Sequence, residues 1–220
     1  MYNYTQIIIE LLNSPAGVAI ITAIVAPALL WLFKIIRTKL LTYKLKKKTE
    51  NYKSRLRAIS SIYSSMRGLV KTVKNVDRVL LLEISNGGHQ PLPGSIMYAR
   101  ALHTESSDEH TMGDSDILKL YDEIRLDDYY IKLCVDTIEQ KKVTIDVKEQ
   151  NESLIKSYHT REKLHYVEMH HIYTDIAAQK TFILSIATDD VEDKFKNRGV
   201  RAIIDTEVYE IKAEFMKYRN

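Results

Sequence analysis

The stretch that decides the fold is residues 80–105, "LLLEISNGGHQPLPGSIMYARALHTE". Two strand-like runs flank "NGGHQPLPG", which holds three of the chain's seven glycines and two of its four prolines. The first run, "VLLLEI" at 79–84, is apolar at odd and even positions alike, so a strand here needs cover on both faces. Asn86, Gly87 and Gly88 tolerate positive φ, and Pro91 and Pro93 stiffen the rest of the loop. Residues 86–94 are far more than the two a tight hairpin uses. The segment reads either as a plain connection or as a shaped loop at the mouth of a site, with His89 and backbone amides available; it lacks the GxxxxGK of a phosphate loop.

Toward the C-terminus the pattern predicts strands at 78–85 and 95–104, then a polar stretch, then helices at about 115–124 and 127–140. Asp127 is the expected N-cap of the second, with Ile131, Val135 and Ile138 on one face. Strands follow at 142–147, 163–173 and 180–188, with a short helix near 152–158 and a long helix from about 190. "FILSIA", like "VLLLEI", is apolar on both sides and suits a central strand. Strands and helices in this order give an α+β fold. The single cysteine, Cys134, sits in an apolar helical pattern and forms no internal disulfide, which fits a reducing compartment.

Toward the N-terminus, residues 11–33, "LLNSPAGVAIITAIVAPALLWLF", carry no charge. About 20 apolar residues cross a bilayer as a helix, so 14–36 is the expected transmembrane helix. Ser14 reads as its N-cap and Pro15 as its first position, and Trp31 is near one interface. "APA" at 26–28 would suit a cleaved signal peptide, but no basic segment precedes the apolar run, which continues through "LLWLF". Ala16, Ala19, Ala23 and Ala26 form a small-residue seam.

Charge is divided sharply: residues 1–75 carry a net +11 and residues 76–220 a net −8. Ten Lys/Arg lie between 34 and 57, and a positive flank stays cytoplasmic. The expected order is therefore a short outer tail (1–13), the span, a basic helical stalk (37–75) and a cytoplasmic domain (76–220), in the inner membrane with the N-terminus out. Lys34, Arg37, Lys39, Lys44, Lys46, Lys47 and Lys48 are placed to meet anionic headgroups. Basic residues beside an apolar span, with an acidic domain beyond, argue for a membrane rather than nucleic acid. Along the stalk, Tyr52, Leu56, Ile59, Tyr63, Met66, Val70 and Val73 recur in steps of four and three. With Ile62 and Leu69 beside them they form a wide apolar face for a bundle. Val200, Ile204, Val208, Ile211 and Phe215 offer a complementary stripe, within one chain or across a homo-oligomer.

This order of elements resembles a GAF domain, a relative of the PAS fold, over residues 50–218. The resemblance rests on "RVLLLEIS" after a long helix and on "EVYEIKAEFMKY" at the end. The pattern "NGG…P.PG…Y" is also similar to small GAF-like proteins of phages and bacteria. It implies an antiparallel sheet of five or six strands in the order 2-1-5-4-3, terminal helices on one face and a ligand pocket on the other. The function implied is small-molecule sensing or protein contact.

Two charges inside apolar strands, Arg100 and Glu168, need a partner, a ligand or a solvated sheet edge. Together with Asn86, Gly87, Gly88 and His89 they are the candidate ligand-binding residues. His103, His110, His165, His170 and His171 show neither HExxH nor paired CxxC spacing, so no metal site is read. No catalytic motif is present, and the residues name no cofactor. The expectation is a membrane-anchored, non-catalytic GAF-like module. Its alternatives are a phage-encoded membrane effector, acting in lysis control or superinfection exclusion, and a hydrolase-like enzyme.

Overall fold

The structure is a computed structural model that describes residues 6, 9–10, 13–20, 23, 26–86 and 96–219. The chain divides into two units, Met1–Ser54 and Arg55–Asn220. In the first, helix α1 (Pro15–Ile20) begins at the proline, where a missing N–H costs nothing. Helix α2 is Ala26–Thr72. In its first part Thr38, Thr42 and Thr49 each donate a hydroxyl hydrogen bond to the carbonyl four residues back. Lys34, Arg37, Lys39, Lys44, Lys46, Lys47 and Lys48 are all exposed. The expected span over 14–36 lies partly outside the described residues, at 21, 22, 24 and 25. Among the described residues no helix is long and apolar enough to cross a membrane. Leu29, Leu30, Trp31, Leu32 and Phe33 are exposed.

The second unit is built on one sheet. Its strands are β1 (Arg78–Ser85), β2 (Tyr98–Ser106), β3 (Ile124–Arg125), β4 (Lys142–Asp146), β5 (Tyr166–Asp175) and β6 (Lys180–Thr188). They pair antiparallel in the order β3-β2-β1-β6-β5-β4. The order expected for a GAF-like sheet is present in full, and the two-residue β3 is added outside β2. The architecture is α+β and fits that fold. The doubly apolar strands β1 and β6 take the centre, in register from Arg78↔Ala187 to Ser85↔Lys180.

Because side chains alternate across a sheet, β1 serves two cores. Leu80, Leu82 and Ile84 join Val167, Met169 and Ile183 under the crossover helices α3 (Asp114–Leu120), α4 (Asp128–Gln140) and α5 (Leu154–Arg161). Val79 and Leu81 join Ile172, Phe182, Leu184 and Ile186 on the other face. There they meet Ile62, Met66 and Leu69 of α2, Val73 just beyond it, and Ile204, Val208, Ile211 and Phe215 of the last helix, α6 (Arg198–Arg219). Both stripes read from sequence thus pack on the same sheet face of one chain. The seam of α2 is partly rotated from its expected line: Met66 and Val73 are buried as expected, but Tyr52 and Leu56 are exposed, Ile59, Tyr63 and Val70 are only half-buried, and Ile62 and Leu69 are buried instead. A sheet is a broader partner than one helix, so the middle of the wide apolar face, and not a heptad edge, lies deepest. Arg67 grips Glu105 of β2 through two nitrogens at 3.0 and 3.2 Å.

Asp127 caps α4 as expected, accepting from Tyr130 N at 2.8 Å, while its second oxygen accepts from Leu154 N at 3.0 Å and ties down the start of α5. The buried face of α4 is Tyr130, Leu133, Cys134 and Thr137, with Val135 exposed. This corrects the face expected through Ile131, Val135 and Ile138; a ring at 130 outweighs the aliphatic pattern. Helix α6 starts at Arg198 and not near 190. Asp190 and Asp193 accept from the amides of Glu192 and Phe195, holding the chain in turns that compete with a helix.

If the rotated seam is correct, Leu69→Ala lowers stability by about 2–5 kcal/mol, while Leu56→Ala changes it by less than about 0.5 kcal/mol. Chemical denaturation of the two variants measures both.

Candidate functional site

On the face covered by α2 and α6, a cavity of about 430 Å³ lies within the second unit. Its floor is Leu81, Leu102 and Phe182, and its walls are Ile59, Ile62 and Tyr63 of α2 and Phe215 of α6. Phe182 and Phe215 meet with ring centroids 4.6 Å apart, and Tyr63 stacks on His103 at 3.6 Å. Three charged side chains stand at one side: Glu83, Arg100 and Lys180. Strand pairing brings them together, since Glu83 is opposite Arg100 and Ser85 is opposite Lys180. Lys180 Nζ donates to Glu83 Oε1 at 2.8 Å, and Arg100 Nη2 is 3.8 Å from the same oxygen. A smaller cavity of about 200 Å³ shares Glu83 and Arg100 and adds Ser85, Tyr98 and Glu123. Apolar walls with a few converging polar groups are what small-molecule sites are made of.

The opposite face, where the GAF resemblance puts the ligand, carries a cluster of buried polar side chains. Arg78 is fully buried there, with Nη1 3.4 Å from Glu162 Oε1, Nη2 donating to Ser185 Oγ at 3.0 Å, and the guanidinium 5.4 Å from the Tyr121 ring centroid. Tyr121 donates its hydroxyl to Glu162 at 2.5 Å, and His110 Nε2 is 3.6 Å from the other carboxylate oxygen. Burial pushes the Glu162 carboxyl up, but Arg78, His110 and Tyr121 together hold it below its ordinary value. Burial likewise works against the charge on Arg78, but Glu162, Tyr121 and Tyr130 together outweigh it and hold the guanidinium above its ordinary value. His159, which contacts Gln150 at 3.2 Å, is driven down to about 3 by burial and by Arg78, and is neutral. Arg78 Nε, His110 Nδ1 and Gln150 Nε2 have no protein hydrogen-bond partner. The cluster is chemically dense and buried.

Of the residues singled out from sequence, Gly87, Gly88 and His89 lie outside the described residues. Asn86 is buried at the end of β1, with Oδ1 unpaired. Arg100 lines the 430 Å³ cavity. Glu168 does not join it: β5 is three strands from β2, about 14 Å at the usual spacing. Glu168 is buried and held by Thr144 Oγ1 at 3.1 Å, His170 Nε2 at 3.1 Å and both terminal nitrogens of Arg201. Burial raises its carboxyl, but the hydrogen bonds from His170 and Arg201 win and bring it to about 2. Glu168 therefore clamps α6 to the sheet. Glu83 and Arg78 carry the same signal as Arg100, a charge in an apolar strand, and could have been found by it. Lys180 and Tyr63 carry no such signal. Among the described residues no group of three or more His, Cys, Asp or Glu could hold a metal ion.

The sequence matches no protein-family model and no curated protein. Solved structures similar to this chain include the GAF domain of a two-component sensor histidine kinase from Bacillus halodurans, with TM-score 0.46 and 14% identity over 70% of this chain and 91% of that one. The GAF domain/HD domain protein from Geobacter sulfurreducens gives a TM-score of 0.47 and 15% identity over 70% and 88%. The phycoerythrobilin-bound GAF domain from a cyanobacterial phytochrome gives 0.47 and 8% over 77% and 96%.

Two outcomes test the buried charges. Arg78→Met leaves Glu162 without its counter-charge and costs about 3–5 kcal/mol in denaturant unfolding. Glu168 has a depressed folded value, so its contribution is full above about pH 4.5 and is lost as pH falls toward 2. The stability gap between the natural chain and Glu168→Gln is therefore smaller at pH 3 than at pH 7.

Proposed function

We propose that this chain is a membrane-anchored, GAF-like module that binds a small molecule between its sheet and its terminal helices and catalyses no reaction. The observation that carries the reading is the 430 Å³ cavity, walled by α2 and α6 and floored by the sheet. A ligand there touches the residues that seat both helices, so its binding alters how tightly they pack. On the other face Tyr121, Arg78 and Glu162 are buried and satisfy one another, so their polar groups are engaged within the fold.

Anchoring is supported by the uncharged run over 11–33 and by the exposed Leu29–Phe33 segment, five apolar side chains that water does not favour. The basic residues from Lys34 to Lys48 support a cytoplasmic position for the sheet domain, on an inner membrane with the N-terminus out. A helix-side cavity that changes helix packing also suits a homo-oligomer whose assembly responds to ligand.

Mass spectrometry of small molecules retained by the full chain purified in nanodiscs tests the binding role. Ala178→Trp, which places a large ring at the cavity rim, abolishes retention of a molecule that the natural chain holds; an unchanged set of molecules in the folded variant would count against the site. For orientation, a reporter active only outside the cytoplasm and fused after Asn220 stays silent.

A further inference from the structure

We infer that the helix-side cavity selects an amphipathic monoanion, a free carboxylic acid with a single apolar body, whose head is taken by Arg100 and Lys180. The inference rests on the reading of this cavity as a ligand site and adds the class of ligand.

The charged side of the cavity is not neutral. One carboxylate oxygen, Glu83 Oε1, serves two cations, Lys180 at 2.8 Å and Arg100 at 3.8 Å. The lysine contact is a hydrogen bond, whereas the arginine contact is beyond hydrogen-bond length. Among the described residues the Arg100 guanidinium has no nearer partner, so its planar fork of donors is available for a second carboxylate. Glu123 lines only the adjoining 200 Å³ cavity, leaving two positive groups and one negative one on the larger wall.

The rest of the lining is apolar or aromatic, including Leu81, Leu102, Phe182 and Phe215. Leu81 and Glu83 lie on the same face of β1, two residues and hence about 7 Å apart along the strand. A ligand with its head at Arg100 therefore has its body over Leu81 and Phe182. The volume is in the range of small-molecule sites, about 300–1,000 Å³. A cation would meet Lys180 and Arg100 beside the one carboxylate they already share. A neutral head would forgo the charge-assisted hydrogen bonds that a carboxylate makes to the half-exposed Arg100 fork.

The test is calorimetric titration of the full chain in zwitterionic nanodiscs with octanoate, octanol and octylammonium, each referenced to empty nanodiscs. Octanoate is expected to bind saturably, one per chain, with octanol and octylammonium at least about tenfold weaker. Arg100→Met and, separately, Lys180→Met weaken octanoate about tenfold while leaving octanol unchanged, and Glu83→Gln tightens octanoate by freeing both cations. Equal binding of octanol or octylammonium, or octanoate binding indifferent to all three substitutions, overturns the anionic class while the cavity remains a ligand site. If none of the three probes binds and Ala178→Trp alters no retained molecule, the ligand-site reading itself falls.

Discussion

Strands β1 and β6 are apolar on both faces and lie side by side in the middle of the sheet. Neither face of such a pair can be left to water. Each Leu or Ile side chain exposed there would forfeit about 1.5–3 kcal/mol, against a total stability of only about 5–15 kcal/mol for a domain. Both layers are consequently obligatory. The crossover helices cover Leu80, Leu82 and Ile183, and the terminal helices cover Leu81, Phe182 and Leu184. Every other feature, including where charges can be placed, depends on this double cover.

The parity of a residue in β1 decides what becomes of its charge. Arg78 is even-numbered and turns into the crossover layer, where it is sealed from solvent and must be satisfied by Glu162, Ser185 and the Tyr121 ring. Glu83 is odd-numbered and faces the helix layer, where the cover is incomplete and a cavity remains. One buried charge is structural because its neighbours close around it. The other, half-buried, is shared by Lys180 and Arg100 at the edge of a cavity. On β5 Glu168 shows a third outcome, a carboxylate on the helix side claimed by an arginine of the covering helix.

Strand positions were legible because two-sided apolar runs and turn residues are local signals: "RVLLLEIS" and "KTFILSIAT" coincide with β1 and β6. The Asp127 cap was legible for the same reason. What a helix packs against is not local. The heptad from Tyr52 points to a seam that the sheet recentres on Ile62 and Leu69, and the start of α6 is delayed by side-chain turns at Asp190 and Asp193 that a periodicity reading cannot weigh. For the site, Arg100 and Glu168 stood out as charges in apolar strands. That they belong to different clusters depends on strand order and parity. Lys180, at a strand start, looks like any surface lysine until the register sets it against Glu83.

The lone cysteine has a use that its burial creates. Cys134 lies in the crossover core, and burial pushes its thiol up to about 12, so alkylating reagents find almost no thiolate in the closed protein. Its rate of labelling is then set by how often that layer breathes open. The chain's one tryptophan, Trp31, is exposed in the other unit, so fluorescence and thiol chemistry report on separate parts of the molecule without any engineered probe. Occupancy of the helix side, if it is felt through the shared strands, would register as a slower clock at Cys134 on the far face of the sheet.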